Sequence, residues 1–265
     1  MSLLRELSRR NPLVLTYAFK SPDKSVEDIS AYIDYLLVSG SSEDTEVKRN
    51  WPCLARIPVW LIPHPVEMDS SSAVMTSGAN RSRIPGHRRF LIAGRIESRK
   101  NQVAVLKIAL RFPNDEFTFA GSNNETEPGY TSEFHRRLGT QPNCHWVGQL
   151  NMPDLLNLIF SVDAVLSPSW FEVMSLINLF AYALKTPVIS SSYTYDSDLL
   201  GTDVIRFRPD SPDELACAVR NFDISSDGEK RASELQQRAA TFAAKTWMGF
   251  DEWVARVATD FARTK

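Results

Sequence analysis

The sequence predicts an α/β protein: a doubly wound parallel sheet, preceded by a partial α/β subdomain. Three observations carry this. After residue 88, strand-sized apolar runs alternate with helix-sized segments, the signature of right-handed βαβ units. Those strands (FLIA, FTFA, AVL, PVI) are near-continuously apolar, as strands covered on both faces must be. A polar stretch rich in Ser, Gly, Asn and Arg, residues 69–88 (DSSSAVMTSGANRSRIPGHR), divides this regular part from three earlier apolar runs.

The early runs are Pro12–Ala18, Asp34–Ser39 and Pro58–Pro63, each strand-sized and bounded by turn or breaker residues. A helix fits Asp23–Ile33, and another fits part of Thr45–Leu54 until Pro52 ends it. Beyond the linker, strands are expected at Arg89–Ala93, Glu116–Ala120, Asn143–Val147, Asp163–Leu166, Pro187–Ser190 and Val204–Phe207. Helices are expected at Asn101–Phe112, Thr131–Leu138, Pro153–Phe160 and Val173–Leu184, then at Pro212–Phe222, Glu229–Ala244 and Phe250–Arg263. The expected organisation is a partial N-terminal subdomain at 1–68, a linker at 69–88, the doubly wound domain at 89–245 and a terminal crossover helix at 246–265. Three strands leave a sheet edge and a helix layer uncovered. That half must lean on the other domain, pair with a protein partner or a second copy of the chain, or be a remnant.

Composition excludes several classes. The 265 residues allow one large domain, or one domain and a fragment. Thirty Lys and Arg against 32 Asp and Glu give a net charge of −2, so there is no basic field for nucleic acid. The local cluster Arg81, Arg83, His87, Arg88 and Arg89 reads as a solvated linker. Cys53, Cys144 and Cys217 are too few and too scattered for a disulfide framework or a zinc site. Their apolar surroundings suggest buried, reduced thiols and a reducing compartment. The N-terminus lacks the apolar core of a secretory signal, and no apolar run is long enough to span a bilayer. The expected location is cytoplasmic, with peripheral contact at the inner membrane face left open.

In a doubly wound sheet, ligands bind at the carboxyl ends of the strands, near a switch point. The loop after the first strand, Gly94–Asn101 (GRIESRKN), offers Gly94 for a tight turn. It also places Arg95 and Lys100 at the strand end and helix start, where they would suit a diphosphate. Gly121 and Gly148 follow the next two strands and would let backbone approach a ligand. The fourth loop, Pro168–Leu176, puts Glu172 at an expected helix start. There it would either cap the helix or accept bonds from sugar hydroxyls. The N–H groups of Val173, Met174, Ser175 and Leu176 would then face phosphate or sugar oxygens. Asp196, Asp198 and Asp203 read as loop carboxylates rather than metal ligands. Tyr193 and Tyr195 share that region, and Trp146, Trp170 and Phe171 read as core or cleft wall.

Taken together, GRIESRKN (94–101), FTFAG (117–121), NCHWVGQL (143–150), AVLSPSWFEVMSLINLFAYALKTPVISS (164–191) and FRPDSPDELACAV (207–219) resemble family-4 retaining glycosyltransferases of the two-Rossmann-domain, GT-B type. The likeness covers about residues 55–263 and corresponds to the family's C-terminal donor-binding domain. It implies a nucleotide-diphospho-sugar as co-substrate, with no further cofactor and no bound metal. It implies that Arg95 and Lys100 contact the diphosphate and that Glu172 is the first Glu of a Glu–seven residues–Glu motif holding the sugar. Gly148, Gln149 and Leu150, with Gly121 beside them, would lie near the nucleobase.

This sequence departs from the family at several positions. The second Glu of the motif is Phe180, Ser175 and Lys185 stand for glycines, and Ala18 occupies the place of a catalytic-domain His. The N-terminal half matches only the family's last strands. Two functions follow: a transferase acting on an unknown acceptor, or a degenerate subunit that binds a sugar nucleotide or a partner glycosyltransferase. An oxidoreductase is disfavoured because the first turn lacks G-x-G-x-x-G, and a hydrolase because no nucleophile elbow is present.

Overall fold

The computed structural model describes residues 14–16, 25–38, 40–61, 86–172, 174–194 and 204–223, with 237, 241, 251–256, 258 and 259 near the end. The chain divides into two compact units. One holds residues up to 65 with 195–199 and 240–265, and the other holds 66–194 and 200–239.

The first unit contains a parallel three-stranded sheet of order β1-β2-β3. Its strands are β1 (Val14–Thr16), β2 (Tyr35–Val38) and β3 (Val59–Leu61). Helix α1 (Ser25–Ser30) lies between β1 and β2, and α2 (Ser41–Asn50) with a 3-10 turn at Pro52–Leu54 lies between β2 and β3. Helix α2 begins four residues earlier than expected, with Gly40 as its N-cap and acidic Glu43 and Asp44 in its first turn. Its core gathers Val26, Leu36, Val38, Val47, Trp51 and Leu54.

The second unit is a six-stranded parallel sheet of order β6-β5-β4-β7-β8-β9. The strands are β4 (Arg89–Ala93), β5 (Glu116–Ala120), β6 (Cys144–Trp146), β7 (Ala164–Ser167), β8 (Val188–Ser191) and β9 (Ile205–Phe207). All pairings are parallel. The chain runs outward from β4 through β5 to β6, returns to β7 beside β4, then runs outward through β8 to β9. The β4–β7 boundary is therefore the switch point of a doubly wound sheet, where crossovers leave in opposite directions and open a crevice.

The crossovers include α3 (Gln102–Ala109), α4 (Pro128–Leu138), α5 (Met152–Ser161), α6 (Leu176–Ala183) and α7 (Pro212–Asn221). Strands β7 and β8 are buried at every position, including Ser167, Ser190 and Ser191 at their ends, as strands covered on both faces are. Phe90, Ile92, Phe117 and Phe119 of the sheet pack with Val105, Leu106, Ile108 and Phe134 in one core. The expected helices at Glu229–Ala244 and Phe250–Arg263 lie mostly outside the described residues, although 251–256 are helical.

Three expectations are corrected. Arg88 and Arg89 are not solvated linker residues. Arg88 forms an ion pair with nearly buried Asp115 and donates to the carbonyls of Val219 (2.7 Å) and Phe222 (2.9 Å), and Arg89 pairs with Asp163 (3.5 Å). These contacts clasp the start of β4 to the end of α7 and the start of β7. Arg81 and Arg83 lie outside the described residues. Among the cysteines, Cys144 is buried, but Cys53 and Cys217 are exposed. Cys217 sits on the outer side of α7 while Leu215, Ala216, Ala218 and Val219 face inward. Finally, the helix expected at Val173–Leu184 begins at Leu176.

Candidate functional site

The loops leaving β4 and β7 flank the switch-point crevice, and both carry charge. After β4 the chain passes Gly94, makes a 3-10 turn at Ser98–Lys100, and enters α3 through Asn101 at φ 55°. Asn tolerates this left-handed backbone better than most residues. Its side chain is also fixed, donating to the Pro209 carbonyl at 3.0 Å. Lys100 thus ends the 3-10 turn rather than starting α3. One N–H at the start of α3 is already engaged: that of Val103 donates to the Tyr130 hydroxyl at 3.0 Å.

Glu172 lies across the crevice, 8% exposed. Its Oε1 accepts an ion-paired hydrogen bond from Lys100 Nζ, a second contact from Arg99 Nη1 at 2.9 Å, and the Ser169 hydroxyl at 3.1 Å. Its backbone N–H donates to the Tyr193 carbonyl at 3.3 Å, and the residue forms an isolated parallel bridge with Thr194. Glu172 therefore sits in an extended segment zipped to the loop after β8, four residues before α6. Helix α6 is capped instead by Ser175, whose hydroxyl accepts from the Asn178 N–H at 3.4 Å. The expectation that Glu172 stands at the helix start is overturned, because buried Ser175 supplies the capping oxygen locally. Met174 precedes the helix, Ser175 is its N-cap, Leu176 is the first helical residue, and Val173 lies outside the described residues.

Sequence reasoning missed two residues of this cluster, Glu97 and Arg99. Glu97 is buried, and Arg99 donates to its Oε1 through Nη2 (2.8 Å) and Nε (3.1 Å). Its Oε2 pairs with Arg95 Nε (3.0 Å) and accepts from Asn124 (3.4 Å). Arg99 also reaches the Phe171 carbonyl at 3.1 Å, and its own carbonyl accepts from the Trp170 N–H at 2.8 Å. Three cations, Arg95, Arg99 and Lys100, thus interlock with two carboxylates, Glu97 and Glu172. The Glu-x-Arg spacing at 97–99 was the available signal, but only the fold pairs those side chains.

The three post-strand glycines meet one another. The Gly94 N–H donates to the Ala120 carbonyl (2.8 Å), and the Gly121 N–H to the Gly148 carbonyl (2.7 Å). Gly121 has φ +148°, and a Cβ there would fall 2.1 Å from the Gly94 carbonyl oxygen. Gly121 is therefore required by close approach of the two loops. The Trp146 indole donates to the Gly121 carbonyl at 3.0 Å, which makes it a wall of the same end of the sheet. Gln149 is exposed and Leu150 half-buried at the end of β6. Trp170 and Tyr193 are exposed near Glu172, whereas Tyr195, Asp196, Asp198 and Asp203 lie outside the described residues. Among the described residues, no three His, Cys, Asp or Glu side chains come together as a metal site.

The sheet order and the crevice at its switch point define a class: a Rossmann-like, doubly wound α/β protein. Residues 79–241 match the family described as glycosyl transferases group 1, and the chain belongs to that family. It is similar to a glycogen synthase of Mycobacterium tuberculosis, 27% identical over 213 residues, 77% of this chain and 49% of that protein. The chain thus spans about half the length of the curated relatives it matches. Among solved structures, it resembles the UDP-forming α,α-trehalose-phosphate synthase of Burkholderia vietnamiensis at TM-score 0.76 and 14% identity, covering 99% of this chain and 70% of that one. It also resembles Anabaena HepE in complex with UDP and glucose, at TM-score 0.73 and 16% identity, covering 94% and 72%.

Proposed function

We propose that this chain is the donor-binding half of a retaining, family-4-type glycosyltransferase that moves a sugar from a nucleoside diphosphate to an acceptor. In this reading residues 89–245 bind the sugar nucleotide. Residues 1–68 form part of the acceptor-side domain, 69–88 are the linker and 246–265 cross back toward that domain. The reading rests on one observation. Cations of the β4 loop and a buried carboxylate of the β7 loop converge at the switch point of a group 1 glycosyltransferase domain.

The chemistry is leaving-group stabilisation. Arg95 and Lys100 offset the charge that develops on the departing diphosphate, in a crevice whose fixed charges need no reorganisation. Leu176, at the start of α6, adds an N–H at the positive end of the helix. Glu172 accepts hydrogen bonds from the sugar once Lys100 turns to the diphosphate. Gly121, Gly148, Gln149 and Leu150 border the base. The diphosphate is neutralised by these side chains, so the reading needs no metal or further cofactor. The reading keeps the cytoplasmic location expected from the sequence, with peripheral contact at the inner membrane face left open and the acceptor unassigned. Among the described residues no helix is long and apolar enough to cross a membrane.

A second reading is favoured by Phe180 and by the crowding of Glu172 Oε1, which already receives three donors. Here Glu172 is a brace, and the chain is a degenerate subunit serving a complete transferase. Calorimetric titration with UDP, GDP and ADP separates the two. The enzyme reading expects one nucleotide to bind and its affinity to fall about 100-fold in Arg95→Ala/Lys100→Ala, as loss of two charge-assisted contacts implies. A folded wild-type chain that binds none of the three overturns it.

A further inference from the structure

Resting on the donor-site reading above, we propose that Arg99, anchored by Glu97, is a positioning residue that holds Glu172 in place so that Lys100 can leave it for the diphosphate. Lys100 has conflicting demands on it. It is paired with Glu172, yet the donor reading requires the same ammonium on a phosphate oxygen. Detaching it would leave Glu172 as a buried charge, and an unpaired buried carboxylate is strongly disfavoured. Arg99 removes that obstacle. Its Nη1 already contacts the same Oε1 at 2.9 Å.

Arg99 is itself immobilised. Nη2 and Nε rest on Glu97, Nη1 also donates to the Phe171 carbonyl, and its backbone carbonyl accepts from Trp170. Every nitrogen of the guanidinium is engaged, as suits a planar fork fixing a loop. The clamp joins the β4 loop to the β7 loop at both main chain and side chain. When the diphosphate arrives, Lys100 exchanges partners, while Glu172 keeps one cation and the Ser169 hydroxyl. Its carboxylate then stays where the sugar is to be bound.

The test is a double-mutant cycle read by calorimetry with UDP, GDP and ADP. It uses the wild-type chain, Arg99→Ala, Glu172→Gln and the double variant. Glu172→Gln frees Lys100 and tightens nucleotide binding about fivefold. Arg99→Ala makes Lys100 the sole cation on Glu172 and weakens binding about fivefold, but leaves affinity unchanged in the Glu172→Gln background. Equal weakening in both backgrounds would make Arg99 a direct phosphate ligand and overturn the proposal, as would no effect in either. Arg99→Lys keeps a cation near Glu172 without the Glu97 fork and falls between Arg99→Ala and wild type. It serves as the test variant if Arg99→Ala does not fold. A wild-type chain that binds no nucleotide defeats the donor-site reading itself, an outcome distinct from a cycle without coupling.

Discussion

Glu172 shows how one residue's surroundings constrain its chemistry. Buried beside two cations and a hydroxyl, it is held by partners that a sugar and a diphosphate would have to replace or share. Its type and loop were readable from the sequence, as were those of Arg95 and Lys100. The pairing was not, because Lys100 and Arg99 precede Glu172 by more than seventy residues and meet it only when β4 and β7 lie side by side. At this scale Gly121 makes a sharp prediction. Gly121→Ala drives a methyl group into the Gly94 carbonyl at a backbone angle that side chains avoid. It should destabilise the fold by about 1–3 kcal/mol, the usual cost of overpacking. Urea unfolding of the variant against wild type measures this, and an unchanged midpoint would contradict the close approach.

Element boundaries moved where side chains outcompeted periodicity. The long apolar run 173–184 predicts a helix over its whole length, yet α6 starts at Leu176 because Ser175 caps it and Glu172 bridges to Thr194. A bridge to a residue 22 positions away is invisible to a local pattern. Ser175→Ala should cost about 1 kcal/mol, the usual worth of an N-cap side chain. A thermal melt would register it as a fall of a few degrees. An unaltered melting temperature would mean that the Asn178 N–H is satisfied elsewhere. Strands β4 and β5 fall where expected, since each is a short apolar run ended by glycine. The α4 helix begins three residues early, at Pro128, because proline suits the first helical turn.

Across the molecule, Tyr130 joins α4 to the start of α3 and gives stability a pH dependence. Burial pushes its hydroxyl from its ordinary value of 10.0 up to about 12. The folded state favours the neutral phenol, so this contribution is complete below pH 10 and lost as pH rises from 10 to about 12. Urea unfolding across that window should show a steeper loss for wild type than for Tyr130→Phe; parallel curves would refute the assignment. The sequence by itself determined the α/β class, the alternation of elements and the loops that carry glycine and charge. Those depend on local periodicity and residue type. Only the tertiary structure decided the strand order, the switch point between β4 and β7, and the Glu97–Arg99–Glu172–Lys100 lattice. Each of these is fixed by which strands hydrogen-bond and which charges share a buried crevice, contacts that link residues far apart in the chain.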